Sequence, residues 1–159
     1  MTTYTAAAVA KRFLSLAQKD PEHIQDISNM KLQKLVFFAQ LCSLCSHDGT
    51  PIHCNNTHAW DYGPVVPALY KMLKPFGRRF ISLDIPEMAA VFNNEADITD
   101  EEAIEIIQIV WNKFKTWTSI QLSALTHRKN SPWAITYNTD RYGVISLELM
   151  KERKFGDAK

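Results

Sequence analysis

The chain has 159 residues, 46% hydrophobic and 22% charged, with a formal net charge of +1. These values fit one soluble globular domain, and the balanced charge excludes an overall field that would attract nucleic acid or an anionic membrane. The longest apolar run is too short to span a membrane, no signal peptide is visible, and three cysteines cannot form a complete disulfide framework. We therefore expect a cytoplasmic protein with reduced thiols and no membrane partner.

Two helices are predicted in the first third of the chain. Apolar residues at helical spacing indicate a helix over residues 6–17, which ends at Asp20-Pro21 because proline cannot continue a helix. Ser28 is a good N-cap for a second helix that runs to about Cys45.

The second helix carries apolar residues around most of its circumference, which is too wide a distribution for a surface helix. We expect it to lie centrally, with Lys31 and Lys34 at its edge. Asp48-Gly49 supplies the turn that follows, and residues 51–59 have little periodicity and read as a loop or a short strand.

A third helix is predicted to begin at Gly63-Pro64, with Pro64 at the first helical position, where a missing N–H costs nothing. It continues to Leu73, and Gly77 ends it. Residues 80–83 then read as a short edge strand.

The second half of the chain contains further helix starts. Thr99-Asp100-Glu101-Glu102 reads as a capping box before an apolar helical repeat that reaches Phe114. The later starts are Thr118 or Ser119, with a helix to about His127, then Pro132 and Ser146. The sequence therefore predicts a mainly α, single compact domain over residues 1–159, with about six helices and possibly a short strand pair. Its core spans about residues 6–150, and residues 151–159 form a charged tail.

Cysteines and histidines are concentrated between the second and third predicted helices, and superficially resemble a set of zinc ligands. The set is Cys42, Cys45, His47, His53, Cys54 and His58. The first two cysteines fall late in an apolar helix, where buried thiols are ordinary core residues, and no second ligand pair completes a zinc pattern. We expect no metal and no cofactor.

No motif for catalysis is recognisable. The chain lacks a Gly-x-Ser-x-Gly sequence and a glycine-rich phosphate loop. Glu101, Glu102 and Glu105 are explained by their place in the first turns of a helix, where carboxylates are favoured by the helix dipole. We expect that the protein is not an enzyme and has no catalytic residues.

Basic and aromatic residues interleave around Lys71, Lys74, Arg78 and Arg79, which raises the alternative of nucleic-acid binding. Residues 80–112 contain eight carboxylates and no lysine or arginine, and would repel phosphate. We do not expect direct nucleic-acid binding. The uneven charge is either a solvated face or a bipolar surface that steers a protein partner.

The aromatic residues Trp60, Tyr62 and Tyr70 allow two interpretations. Trp60 or Tyr62 can pack back on the helix beyond Gly63 as a hydrophobic staple, which is a purely structural role. Alternatively, part of this aromatic cluster is exposed as an anchor for a partner.

Two blocks of sequence resemble the Panacea domain, also known as the SocA-like or phage-associated GepA-like domain. The first is Lys31-Leu32-Gln33-Lys34-Leu35 with Phe37-Phe38-Ala39-Gln40, and the second is Trp60-x-Tyr62-Gly63-Pro64-Val65 with Tyr70. A later match is Leu122-Ser123-Ala124-Leu125-Thr126-His127 with Pro132-Trp133. The resemblance runs from about residue 6 to residue 150.

The resemblance implies a mainly helical antitoxin domain that is encoded beside a toxin gene and often carried by phages. It implies neutralisation of a cognate toxin by protein contact, with no catalytic residue. The matching positions, expected to bind the partner or to define the fold, are Lys31, Leu32, Lys34, Leu35, Trp60, Tyr62, Gly63, Pro64, Val65 and Tyr70. An adaptor that presents a bound protein to a protease is the alternative, and a nucleic-acid-binding regulator is a further one. The oligomeric state and the identity of the toxin stay open.

Overall fold

The computed structural model describes residues 2–46 and 49–157, which form eight helices and a small antiparallel sheet. In chain order the elements are α1 (Ala6–Lys19), α2 (Asn29–Leu44), β1 (His58–Trp60), β2 (Gly63–Val65), α3 (Pro67–Leu73), α4 (Pro86–Ala90), α5 (Glu101–Phe114), α6 (Ser119–Thr126), α7 (Pro132–Thr139) and α8 (Leu147–Arg153). A short 3-10 helix, Lys74–Phe76, directly follows α3. The expectation of a mainly α, compact single domain with a strand pair is confirmed. None of the described helices is long and apolar enough to cross a membrane.

Helix α2 is the centre of the fold, as its apolar circumference predicted. Fourteen of its sixteen residues are buried, and it contacts α1, α3, α5, α6, α8 and β2. The core around it includes stacked rings of Phe38 and Phe114, whose centroids are 4.6 Å apart. The expectation that Lys31 and Lys34 lie at the edge of this helix is wrong, because neighbouring elements surround it on all sides and both lysines are buried.

The strand pair is a tight hairpin that replaces the predicted start of the third helix. Trp60 pairs with Gly63 and Ala59 with Pro64, so Gly63-Pro64 belongs to β2 rather than to a helix. Helix α3 begins only at Pro67. The physical reason is that a residue before proline is disfavoured in the helical region, and Val66 is accordingly extended, with φ −91° and ψ 107°.

Several helix starts agree with the sequence, and two details differ. Ser28, Thr118 and Ser146 each accept a backbone N–H at the start of a helix, as predicted. The cap of α5 is Asp100, whose carboxylate accepts the N–H groups of Glu102 and Ala103, so the predicted capping box beginning at Thr99 is wrong and the cap lies one residue later. The side chain of Tyr4 explains this shift, because its hydroxyl oxygen accepts the backbone N–H of both Thr99 and Asp100.

The predicted edge strand at residues 80–83 is absent from the described structure, where these residues are irregular or turn. One backbone bond, from Ile81 N to Ile27 O at 2.7 Å, attaches this segment to the loop before α2. A single bond of this kind secures a loop but does not form a ladder. Helix α4, which follows, was not predicted from the sequence.

Candidate functional site

The two resembling blocks of sequence meet at a groove of about 740 Å³. The start of α2 forms one wall of the groove, and the β1–β2 hairpin and α3 contribute others. The lining is completed by Lys74, Gly77, Arg78, Phe80, Ser119 and Tyr142. Side chains far apart in sequence therefore converge on one concave surface, which is the usual setting of a binding site.

The walls of the groove are largely aromatic. Trp60 packs edge-on against Tyr70, with ring centroids 5.1 Å apart, so the expected contact of Trp60 with α3 is confirmed. Tyr62, at the tip of the hairpin, is 70% exposed. Phe80 and Tyr142 also line the groove, and their side chains are 57% and 50% exposed, respectively. The structure thus packs Trp60, which is half-buried, against α3 and leaves other aromatic residues open to solvent.

Hydrogen bonds hold the hairpin and the Tyr142 loop together. The indole N–H of Trp133 donates to the carbonyl oxygen of Trp60 at 2.7 Å. Asp61 Oδ1 accepts the hydroxyl groups of Tyr137 at 2.6 Å and Tyr142 at 2.9 Å. These two bonds, the Tyr137 bond first, lower the pKa of Asp61, and the same contacts raise the pKa of both tyrosines. The carboxylate of Asp61 is therefore already bound by its own neighbours.

Buried polar side chains of α2 attach surrounding loops to the helix. Lys31 Nζ donates to Asp26 Oδ1 at 2.9 Å and to the carbonyl oxygen of Lys115 at 2.7 Å. Gln33 accepts the backbone N–H of Val66 at 2.9 Å, between β2 and α3. Each group has good partners, as buried polar groups require.

Gln40 acts in the same way further along α2. Its side-chain oxygen accepts the backbone N–H of Ile52 at 2.9 Å and of His53 at 3.2 Å, and its amide donates to the His53 carbonyl at 3.1 Å. The loop before β1 is held to α2 by these three bonds.

Lys34 differs from these residues. It lines the groove but is only 1% exposed, and its ammonium makes one long contact, 3.4 Å, with the carbonyl oxygen of Pro64. No carboxylate oxygen of the described residues lies within ion-pair distance of Lys34 Nζ. Burial without a counter-charge lowers the pKa of Lys34 from 10.5 to about 7. The charge of Lys34 also contributes, after burial, to lowering the pKa of His127.

Gly63 makes room for Lys34. Its backbone has φ +119°, and a Cβ at this position would lie 2.7 Å from Lys34 Cε and 3.0 Å from Thr126 Oγ1. Glycine is therefore required both by the backbone conformation and by the close passage of the lysine side chain.

Five of the ten motif residues proposed from the sequence line the groove: Lys34, Trp60, Tyr62, Val65 and Tyr70. The other five, Lys31, Leu32, Leu35, Gly63 and Pro64, lie outside its lining. Leu32 and Leu35 are completely buried in the core.

Asp61, Phe80 and Tyr142 were not singled out from the sequence. Asp61 lay inside the second motif block, but at its unspecified position, so the block gave no signal for it. Tyr142 had none, because it reaches the groove through backbone bonds of its loop to Ala59, at 2.9 Å from Ala59 N to Gly143 O and 3.0 Å from Tyr142 N to Ala59 O.

The basic cluster divides between the groove and the neighbouring surface. Lys74 and Arg78 line the groove, whereas Arg79 lies 3.5 Å from the carboxylate of Glu87. Lys74 and Arg78 give the groove two cationic side chains against the one carboxylate of Asp61, and Lys34, with a pKa of about 7, is partly protonated near neutral pH. The groove therefore has a net positive lining.

The cysteine and histidine set does not form a metal centre in the described residues, where no group of three or more potential ligands is placed to hold an ion. His47 lies outside the described residues. His53 is buried, its Nδ1 accepts the N–H of Asn55 at 3.2 Å, and burial lowers its pKa to about 4. A neutral imidazole that accepts a backbone bond fits a structural role for His53.

Comparison with known proteins identifies a relative and a family. Antitoxin SocA of Caulobacter vibrioides (strain NA1000 / CB15N) is 28% identical over 115 residues, which cover 70% of this chain and 61% of that protein. The chain thus spans less than two thirds of the length of this relative. No solved structure matches the chain. The sequence profile of the family described as antitoxin SocA-like, Panacea domain, matches residues 32–134. This range includes the second sequence block and all of the first except Lys31, and it covers more than half of the chain, so the protein belongs to the antitoxin SocA-like, Panacea domain family.

Proposed function

We propose that the chain acts in the cytoplasm as an antitoxin that neutralises a cognate toxin, encoded by an adjacent gene, through direct protein–protein binding. The observation that carries the proposal is the groove in which the two family blocks meet. Neutralisation requires no reaction in this mechanism, because occupying a surface of the toxin is sufficient. The domain that performs it comprises about residues 6–150, with a short charged tail after it.

The exposed aromatic residues support contact at the groove. Seven large apolar side chains are exposed among the described residues, and Tyr62, Phe80 and Tyr142 all line this one surface. Tyrosine and tryptophan are the residues that most often anchor protein interfaces, because they bury a large area with little loss of conformational entropy. We assign partner contact to Lys34, Trp60, Tyr62, Val65 and Tyr70. We assign a fold-defining role to Lys31, Leu32, Leu35, Gly63 and Pro64.

Co-expression with the product of each adjacent reading frame tests the proposal. We expect one neighbour to arrest growth when expressed alone, and the chain to restore growth and co-purify with it. Tyr62→Ala is expected to weaken the complex roughly tenfold or more, as truncation of an interface anchor does. Ile109→Ala, which removes an exposed side chain of α5 outside the groove, is the matched control and should bind as the wild type does.

The proposal fails if no neighbour is toxic or if no complex forms. The half-life of the toxin, measured with and without the chain, separates neutralisation by binding from delivery to a protease. An unchanged half-life with full rescue is expected, and accelerated turnover would favour the adaptor.

A further inference from the structure

The two buried lysines of α2, Lys31 and Lys34, differ in their hydrogen-bond and ion-pair partners. Lys31 has two acceptors below 3.0 Å, one of them the carboxylate of Asp26. Lys34 has three N–H donors and a single long contact to the Pro64 carbonyl. Burying an ammonium without a counter-charge destabilises a fold. Lys34 therefore does not stabilise this domain in the way that Lys31 does.

The surroundings of Lys34 do not supply the missing carboxylate. Asp61 is the acidic residue in the groove lining, and its Oδ1 is occupied by two tyrosine hydroxyls. The other charged side chains of the lining, Lys74 and Arg78, add positive charge. A ligand that brings a negative charge into the groove therefore complements every uncompensated group in it.

We propose that the groove receives a segment of the cognate toxin in which an aspartate or glutamate lies between apolar residues, and that its carboxylate forms an ion pair with Lys34 Nζ. This inference rests on the proposed antitoxin function and names the chemistry of the partner. The apolar residues of the segment pack on Trp60, Tyr62 and Tyr70, while Lys74 and Arg78 attract the acidic segment at the rim.

The site fits a carboxylate on a protein segment better than a phosphate or a small anion. Phosphate sites present several converging N–H groups, such as those of a free helix start or an arginine fork. The start of α2 does line the groove, but the Ser28 hydroxyl oxygen already accepts the N–H of Lys31 there. At Lys34 the neighbouring backbone includes Pro64, which has no N–H, and the walls are aromatic. Burial lowers the pKa of Lys34 to about 7, and a bound carboxylate would supply the charge that restores its protonated form.

The test compares two matched substitutions on the same helix in the purified complex with the toxin identified by co-expression. Lys34→Met removes the buried ammonium of a residue that lines the groove, and Lys31→Met removes a buried ammonium of a residue outside the lining. Titration calorimetry is expected to show a Kd roughly thirtyfold higher or more for K34M, the usual loss on truncating a buried charge pair. The Kd of K31M should lie within about threefold of the wild-type value when the concentration of folded protein is used in the fit. Lys71→Met, an exposed lysine of α3 outside the groove lining, is the second control if K31M does not fold.

The toxin side provides an independent measurement. Each aspartate and glutamate of the toxin is changed to its amide, and every variant is titrated with wild-type chain and with K34M. For one toxin carboxylate, we expect the amide substitution to weaken binding to the wild-type chain and to leave binding to K34M unchanged. This result is the signature of a direct pair in a double-mutant cycle. If the wild-type complex forms but K34M binds equally well, or if no toxin carboxylate couples to position 34, this inference is overturned while the antitoxin function stands. If the wild type forms no complex at all, both fail.

Discussion

Lys31 and Lys34 lie one turn apart on α2, and at the scale of single residues their partners decide what each can do. Lys31 is paired with Asp26 and caps the carbonyl of Lys115, so its charge joins two segments of the fold. Lys34 has the same side chain and the same burial, but the fold provides it with no carboxylate in the described residues. The free energy of folding therefore gains from the first ammonium and loses from the second.

Lys34→Met is expected to stabilise the unbound chain by roughly 2–4 kcal/mol near neutral pH, because an apolar side chain of similar length replaces an uncompensated buried ammonium. The pKa of Lys34 is about 7 in the folded chain against 10.5 for the free group. Between these values the unfolded chain binds one more proton, so wild-type stability rises with pH and the gain from K34M shrinks towards pH 10.5. Urea unfolding of both proteins at several pH values measures this difference.

Lys31→Met is the control in the same experiment, and it should destabilise the chain because it leaves the Lys115 carbonyl without its donor. A K34M protein that is less stable than the wild type at pH 7 would contradict the prediction. It would mean that the ammonium of Lys34 contributes to the fold.

At the scale of elements, the hairpin shows how local sequence signals compete. Gly63-Pro64 is a plausible helix start when read alone, but the glycine can also adopt the positive φ of +119° observed in β2. The competing signal is Pro67, which holds Val66 extended and moves the helix start by three residues. The hairpin then delivers Tyr62 to the rim of the groove and leaves Trp60 against Tyr70.

Gly63→Ala is expected to lower the free energy of unfolding by about 2–3 kcal/mol, the sum of an unfavourable backbone conformation and a clash with Lys34. Gly77→Ala is the matched control, because Gly77 also has a positive φ, +58°, but a Cβ there meets nothing within 4 Å. The backbone of Gly77, with φ +58° and ψ −129°, is itself unfavourable for a side chain, so the cost should be limited to about 1–2 kcal/mol of backbone strain. Equal costs for the two substitutions, measured by chemical unfolding, would show that the close passage of Lys34 adds nothing.

At the scale of the whole molecule, α2 connects stability with binding. Its middle and end are surrounded by the core, while its first turns carry Met30, Gln33 and Lys34 to the groove. Elements from the rest of the chain, as distant as Ser119 and Tyr142, complete the site. The groove is therefore assembled only when the whole domain is folded.

Hydrogen exchange measured with and without the toxin should locate the interface. We expect added protection at residues 60–70 and 74–80, since these segments line the groove and have exposed side chains. Exchange in α1 and α5, which contribute no residue to the lining, should be unchanged. Protection confined to α5 or to the α1 surface would place the partner elsewhere and contradict the assignment.

The sequence by itself determined the central position of α2, the caps of α2, α6 and α8, and the family. These depend on apolar periodicity, on capping side chains and on short motifs, all of which are local. It also identified motif residues of which half line the groove, because Trp60, Tyr62 and Tyr70 stand out as aromatic residues beside a glycine and a proline.

Tertiary structure alone decided which motif residues face the groove and which face the core. Lys31 and Lys34 carry the same side chain one turn apart, and nothing local distinguishes them. Asp26 reaches one ammonium and no carboxylate of the described residues reaches the other. Tyr142 joins the site through pairing with Ala59, more than eighty residues earlier in the chain. Contacts between segments so far apart leave no local pattern, and these contacts set the burial, the charge and the aromatic lining of the groove.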